Sequence, residues 1–384
     1  MTLQPNKSSE SGAARNRMRR ERYQRFASRL LGLLILAGSL LGGWVMMEYR
    51  SFVEKPLVLP EETLHYTIPR GASLRWIAQD LAQRGIVAPP LYFLLYARWS
   101  GKGHIQAGEY ELVRGMTVPQ MLDRFTSGKV VQHALTLVEG WTFRQVLDAL
   151  HRHEALEHRL LGLSDDEIMA RIGYPGEHPE GRFFPDTYHF PRGTTDISFL
   201  QRAYERMQRH LEAEWAQRSE GLPLASPYEA LILASIVEKE TGVAEERAEI
   251  AGVFIRRLRL GMRLQTDPTV IYGLGASFDG NLRRRDLVRD TPYNTYVRSG
   301  LPPTPIAMPG LASLRAALHP ADGTALYFVS RGDGTHYFSN TLKEHLEAVS
   351  IYQLRKKAGR NTQPARQTGS DTSRADTGQR ARQR

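Results

Sequence analysis

Residues Ser226-Pro-Tyr-Glu-Ala-Leu-Ile-Leu-Ala-Ser-Ile-Val-Glu-Lys-Glu-Thr-Gly242 decide both the fold of the C-terminal half and its chemistry. Ser226 and Glu229 stand at capping-box spacing, Pro227 takes the first helical position and Gly242 offers a stop, so a helix of about four turns is expected between them. Stepping ~100° per residue from Leu231 places Ile232, Ile236, Leu233 and Val237 on one arc with Glu240 near its centre. Glu238 falls on the opposite side, beside Leu231 and Ala234. Only Glu240 is therefore aimed into the apolar face. A carboxyl group there loses water and lies at the negative end of the helix dipole, and both effects favour its neutral form. A general acid needs that property to hold a proton near neutral pH. The alternative is a buried structural acid paired with Arg256 or Arg263, and periodicity alone does not choose between the two.

Upstream, one pattern recurs three times: Tyr66-Thr-Ile-Pro-Arg-Gly71-Ala-Ser-Leu74, Tyr110-Glu-Leu-Val-Arg-Gly115-Met-Thr-Val118 and Leu135-Thr-Leu-Val-Glu-Gly140-Trp-Thr-Phe143. Each reads as a short strand, a glycine turn, and a Ser or Thr capping an amphipathic helix. The helices are expected over Leu74 to Arg84, Val118 to Ser127 and Phe143 to His151. Unequal glycine spacing argues for small α+β modules rather than a solenoid. From Ser164 onward helical periodicity dominates, broken by the Pro/Gly-rich stretch Gly173 to Gly193 and by the proline cluster Pro302 to Pro309.

The formal charge of +10 on 384 residues raises nucleic acid as a partner until that charge is located. Residues 1–29 hold eight basic residues against Glu10 and Glu21, residues 355–384 hold nine against Asp371 and Asp376, and the remainder is left at −3. No basic folded face remains to follow a phosphate backbone, so nucleic acid is not the expected partner. Cysteine is absent, which removes disulfides and thiolate metal sites. The group His151, His153, Glu154 and His158 lacks His-Glu-x-x-His spacing, and Walker and dinucleotide glycine loops are missing. Neither a metal nor a cofactor is expected.

Leu30 to Met47 is an uncharged run of 18 residues, near the lower limit for a spanning helix, and the tail's arginines all precede it. The positive-inside rule keeps residues 1–29 cytoplasmic as a basic tail and delivers everything after Glu48 across the membrane. No small-x-small cleavage site follows Met47, so the run reads as an anchor rather than a signal peptide. Residues 358–384 are nearly devoid of apolar side chains and read as a disordered basic tail. The expected class is α+β: a transmembrane helix, small α+β modules, then a mixed α+β domain.

Further motifs in the same order and spacing resemble one family. Ala234-Ser-Ile-Val-Glu-Lys-Glu-Thr241, Phe254-Ile-Arg-Arg-Leu-Arg-Leu-Gly-Met262, Arg263-Leu-Gln-Thr-Asp-Pro-Thr-Val-Ile-Tyr-Gly273, Tyr293-Asn-Thr-Tyr296, Gly300-Leu-Pro-Pro303 and Ile306-Ala-Met-Pro-Gly310 look like the endolytic murein transglycosylases, the YceG-like family. So do Glu180-Gly181, Pro185-Asp-Thr187, His336 and Phe338. Phe183-Phe184 stands where the family often has a Trp-containing pair, and Ser339-Asn340 where an Asn-Thr pair is typical.

The resemblance, from the anchor to about Gln353, implies an inner-membrane lyase with a LysM-like module at 60–134 and a periplasmic catalytic domain at 135–353. It implies cleavage of the MurNAc-β-1,4-GlcNAc bond within nascent peptidoglycan strands, leaving 1,6-anhydro-MurNAc ends and terminating elongation. Glycan strands and peptidoglycan synthases are the implied partners. The family's catalytic glutamate carries over to Glu240, the residue the helical wheel singles out independently. Gln265, Asp267, Tyr293 and Asn294 are the polar side chains expected around the sugars, since hydroxyl and N-acetyl groups need oriented donors and acceptors. Asp267, preceding Pro268, also reads as a helix N-cap. Rival readings are a hydrolase using Asp267 or Glu238 as second carboxylate, and a glycan-binding scaffold.

Overall fold

The computed structural model describes residues 8 to 354, so the C-terminal tail expected to be disordered, residues 358–384, lies outside the described residues. The first helix, α1, runs Ser8–Glu54, and its Ser28–Glu54 portion is long and apolar enough to cross a membrane. The helix therefore continues past Met47, where the apolar run ends. Between Gly43 and Pro56 the sequence contains neither proline nor glycine, so hydrophobicity stops before helical structure does.

The described chain divides into two compact units, one ending at His133 and including Phe190–Gly193, the other made of Ala134–His189 and Thr194 onward. In the first, strand β1 (Thr63–Ile68) leads to helices α2 (Leu74–Gln83) and α3 (Pro90–Trp99), then strand β2 (Gly108–Val113) and helix α4 (Val118–Ser127). β1 and β2 are antiparallel, with Tyr66 opposite Tyr110. Both rings are fully buried, and both pack on Phe125 of α4. Ser73 accepts from the Trp76 amide, and Thr117 forms a capping box with Gln120. Gly71 and Gly115 take φ of 81° and 88° in the two turns, conformations that glycine adopts without strain. The first two copies of the repeat thus build one module together, rather than one each. The third copy supplies strand β3 (Gln132–Thr136) and helix α5 (Phe143–Arg152), and β3 pairs with β5 (Thr187–Pro191) instead. Helix α3 was not foreseen.

In the second unit β4 (Leu156–Glu157) and helix α6 (Asp165–Arg171) precede β5, β6 (Thr194–Thr195) and the long α7 (Asp196–Ala216). Then follow α8 (Pro227–Glu240), α9 (Arg247–Arg259), α10 (Asp267–Leu274), α11 (Arg284–Val288), α12 (Leu311–Leu318), a hairpin of β7 (Tyr327–Ser330) and β8 (His336–Ser339), and α13 (Leu342–Val349). The architecture is mixed α+β with one N-terminal apolar helix. α8 lies at the centre of the second core, packed by α7, α9, α10 and α12, and every residue from Ala230 to Val237 is buried. The one-sided apolar arc expected for α8 is corrected: Leu231 and Ala234 are as buried as Ile232 and Ile236. A helix with neighbours on all sides has no solvent face for the wheel to locate.

Candidate active site

At its start, α8 is capped as Ser226 accepts from the Glu229 amide, but the Glu229 carboxylate reaches the Ala225 amide at 2.7 Å and closes no box. At its end Thr241 is the cap, in an extended conformation, and Gly242 is not the left-handed stop expected of it. The last three side chains tie α8 to three distant segments. Glu238 accepts from the Gly310 amide at 3.0 Å and from Ser313 Oγ at 2.8 Å. Lys239 Nζ donates to the Gly140 carbonyl at 3.1 Å, and Glu240 accepts from Thr266 Oγ1.

Glu240 retains some accessible surface while protein atoms crowd its carboxyl group. Loss of water pushes its pKa up to about 7; the Thr266 hydrogen bond opposes this, the Asp267 charge adds to it, and Arg257 opposes it weakly. The salt-bridged reading is corrected, because neither candidate partner meets Glu240. Arg256 donates to the Ala325 and Ala321 carbonyls, and Arg263 to the Tyr296 carbonyl. Arg257, whose charge acts on Glu240, is buried and holds the carbonyls of Leu326 at 2.6 Å and Leu264 at 2.7 Å. The acid therefore has a hydrogen-bond donor and no ion-pair partner, which leaves it protonatable near neutral pH.

Thr266 is delivered by an interlocked pair of segments. Its amide donates to Thr295 Oγ1 at 3.1 Å, and the Gln265 amide donates to the Thr295 carbonyl at 3.1 Å. Thr269 Oγ1 bonds both the Thr266 carbonyl at 2.8 Å and Thr295 Oγ1 at 2.9 Å. Gln265 takes φ of 51°, the one positive value at a non-glycine position among the described residues. Such a conformation costs about 1–3 kcal/mol and persists where surrounding bonds over-determine it, as these do.

The four expected sugar contacts separate into two groups. Gln265 and Asp267 are exposed on either side of Thr266. Tyr293 is half-buried, its hydroxyl 2.8 Å from Thr304 Oγ1 and its ring 4.9 Å from that of Tyr272. Asn294 has no exposed surface, and its amide is occupied by backbone: it donates to the carbonyls of Asp286, Leu287 and Arg289 and accepts from the Tyr296 amide. It shapes the loop and has no atom left for a ligand. The N-cap reading of Asp267 is also corrected. Thr266 holds the cap position of α10, Asp267 is the first helical residue, and its carboxylate accepts from Tyr296 Oη at 2.6 Å. Neither Thr266, Tyr296 nor Arg257 was singled out from sequence, because all three act across contacts that no local spacing encodes.

Glu180, buried in the same unit, also has its pKa pushed up to about 7 by burial. It accepts from Tyr272 Oη at 3.0 Å and from the Phe143 amide at 2.9 Å. Among the described residues no group of three or more His, Asp or Glu side chains is placed to hold a metal ion.

One raised, donor-held carboxyl group with exposed polar side chains beside it is an arrangement suited to acid–base chemistry by a single carboxyl group. The chain belongs to the YceG-like family, whose pattern it matches over residues 66–351. It is 32% identical over 337 residues to the endolytic murein transglycosylase of Bacillus subtilis strain 168, covering 83% of this chain and 91% of that one. To the endolytic murein transglycosylase of Streptococcus pneumoniae serotype 2 strain D39 it is 28% identical over 312 residues, 72% of this chain and 56% of that one. The crystal structure of a YceG-like protein from Listeria monocytogenes aligns with 74% of this chain and 98% of its own at 30% identity and a TM-score of 0.49.

Proposed function

We propose that the chain is a membrane-anchored peptidoglycan lytic transglycosylase that cleaves the MurNAc-β-1,4-GlcNAc bond within nascent strands and leaves 1,6-anhydro-MurNAc ends. The observation that carries this reading is Glu240: accessible, donor-held and with a pKa near 7, in a chain similar to enzymes named endolytic murein transglycosylases. Protonated Glu240 gives its proton to the glycosidic oxygen as the C1–O bond breaks and an oxocarbenium-like sugar forms. The resulting carboxylate takes the proton from the MurNAc C6 hydroxyl, whose oxygen closes on C1. The nucleophile is part of the substrate, so no water and no second carboxylate are needed. Gln265, Asp267 and Tyr293 orient the sugars, and Asn294 holds the loop that presents Tyr293 and Tyr296.

Strand β1, helices α2 and α3 and strand β2 support a LysM-like reading of residues 60–134, with the catalytic domain at 135–353. The apolar helix α1 supports an inner-membrane anchor with a cytoplasmic N-terminus. Ending strand elongation places the enzyme beside peptidoglycan synthases, its proposed protein partners. The competing hydrolase reading retains Asp267, which neighbours Thr266 and whose charge Glu240 senses. Glu238 is held by Gly310 and Ser313 and is not favoured as second carboxylate. Mass spectrometry of the products from nascent peptidoglycan treated with the full chain decides between these readings. Anhydro ends that vanish with Glu240→Gln are the expected result; reducing ends would establish the hydrolase, and full cleavage by Glu240→Gln would remove Glu240 from the mechanism.

A further inference from the structure

Helix α3 carries an apolar stripe that its own module does not cover. Phe93 and Ala97 face inward and are fully buried. Leu91, Leu95 and Trp99, each four residues apart and so on one helical face, are 58%, 56% and 78% exposed, Trp99 being the most exposed large apolar side chain among the described residues. Tyr92 and Tyr96 turn toward α1, where aromatic contacts fix the two helices together. The Phe52 and Tyr92 rings are 5.7 Å apart, Tyr49 and Tyr96 6.4 Å, and Tyr49 and Trp99 5.9 Å edge to face.

Between the helices lies an open apolar groove of about 740 Å³, bordered by Trp44, Val45, Tyr49, Leu95, Tyr96 and Trp99. Trp44 and Val45 belong to the uncharged run itself, and Glu48 and Arg50 are the first charged residues after Arg29. Through Tyr49, Trp99 is thus set beside the point where the apolar run gives way to charge. Tryptophan and tyrosine concentrate at that depth of a bilayer, because their rings favour the acyl boundary and their polar atoms favour water. Arg98, exposed beside Trp99, supplies a cation on a long apolar stem that suits headgroup phosphates.

We propose that the Leu95–Trp99 end of α3 is a membrane-docking surface, seated in the headgroup–acyl boundary of the bilayer that α1 crosses. The occupant is lipid rather than protein, since the groove is continuous with the exposed apolar surface of α1 and brings an exposed apolar stripe and a cation to the same end. The inference rests on reading α1 as a retained anchor. Its consequence is that the module is held against the membrane by two elements, so its tilt is restrained where a single helix would let it swing.

The absence of cysteine makes the test direct. Leu95→Cys and Trp99→Cys in the full chain are spin-labelled in vesicles of phosphatidylcholine with one-third phosphatidylglycerol, with Gln217→Cys as an aqueous control. Collision with oxygen should exceed collision with a water-soluble nickel chelate several-fold at positions 95 and 99, and the order should reverse at 217. Chelate preference at 95 and 99 in chain that resists carbonate extraction overturns the docking surface and leaves the anchor standing. Exclusion of both reagents overturns it in favour of a second copy or another protein. Release of the chain by carbonate overturns the anchor and this inference with it.

Discussion

Thr266 has one hydroxyl and two places that could use it. It occupies the N-cap of α10, where a threonine ordinarily accepts from a helical amide, yet it makes no side-chain capping bond and donates to Glu240 instead. That donation favours the carboxylate, so Thr266→Val should move the alkaline limb of cleavage, centred near pH 7 where Glu240 loses its proton, to higher pH. It should also lower kcat about tenfold as the acid loses its orientation, with Thr266→Ser restoring both. A pH–rate profile with an unmoved limb would show that Thr266 only fills space. Stability at Glu240 follows the same proton. Its pKa rises from 4.5 unfolded to about 7 folded, so the folded state holds a proton that the unfolded chain releases, and stability falls as pH rises through that window. Glu240→Gln escapes the loss. It should be more stable than the native chain by about 1–2 kcal/mol at pH 8, discounted from the full shift because the residue is partly accessible, with the gap closing near pH 4 in urea titrations.

Helix α8 shows why an element can hold a site rigidly. Buried on every side, it projects three consecutive side chains to Gly310 and Ser313, to Gly140 and to Thr266, so its last turn is fixed by segments from across the unit. Ser235 adds a fourth tie, accepting from the Ile306 amide at 3.0 Å. The stretch from Thr304 to Gly310 is in turn pressed against Gly181. That glycine has φ of 79°, and a Cβ there would come within 2.5 Å of the Pro305 ring. Gly181→Ala therefore combines left-handed strain with a clash against a rigid ring and should cost about 2–3 kcal/mol, read as a lowered urea midpoint. Because Glu180 precedes it and holds Tyr272 of α10, activity should fall more than stability alone accounts for. An unchanged midpoint would mean that the segment moves aside freely.

At the scale of the molecule, the basic residues that raise the net charge lie at the two ends and the apolar helix follows the first of them. The proposed topology puts the N-terminus in the cytoplasm and the acid site outside. In spheroplasts, Gln217→Cys should react with a membrane-impermeant maleimide at once, and Ser8→Cys only after permeabilisation. The reverse labelling order would invert the chain and place Glu240 away from the cell wall.

Local chemistry was legible in the sequence by itself. Ser73, Thr117 and Thr142 cap the helices that follow them, Gly71, Gly115 and Gly140 turn with positive φ, and the acid at the end of α8 is desolvated, because caps, turns and periodicity act within a few residues. Three things only the tertiary structure decided. The repeat copies build one shared module and part of another unit, since strand pairing is settled by which apolar faces meet. Asn294 became scaffold rather than a ligand contact, since three carbonyls converge on its amide only when the loop closes. Glu240 found Thr266 rather than an arginine, because that donor lies 26 residues away and reaches it through the interlocked threonines of a packed core.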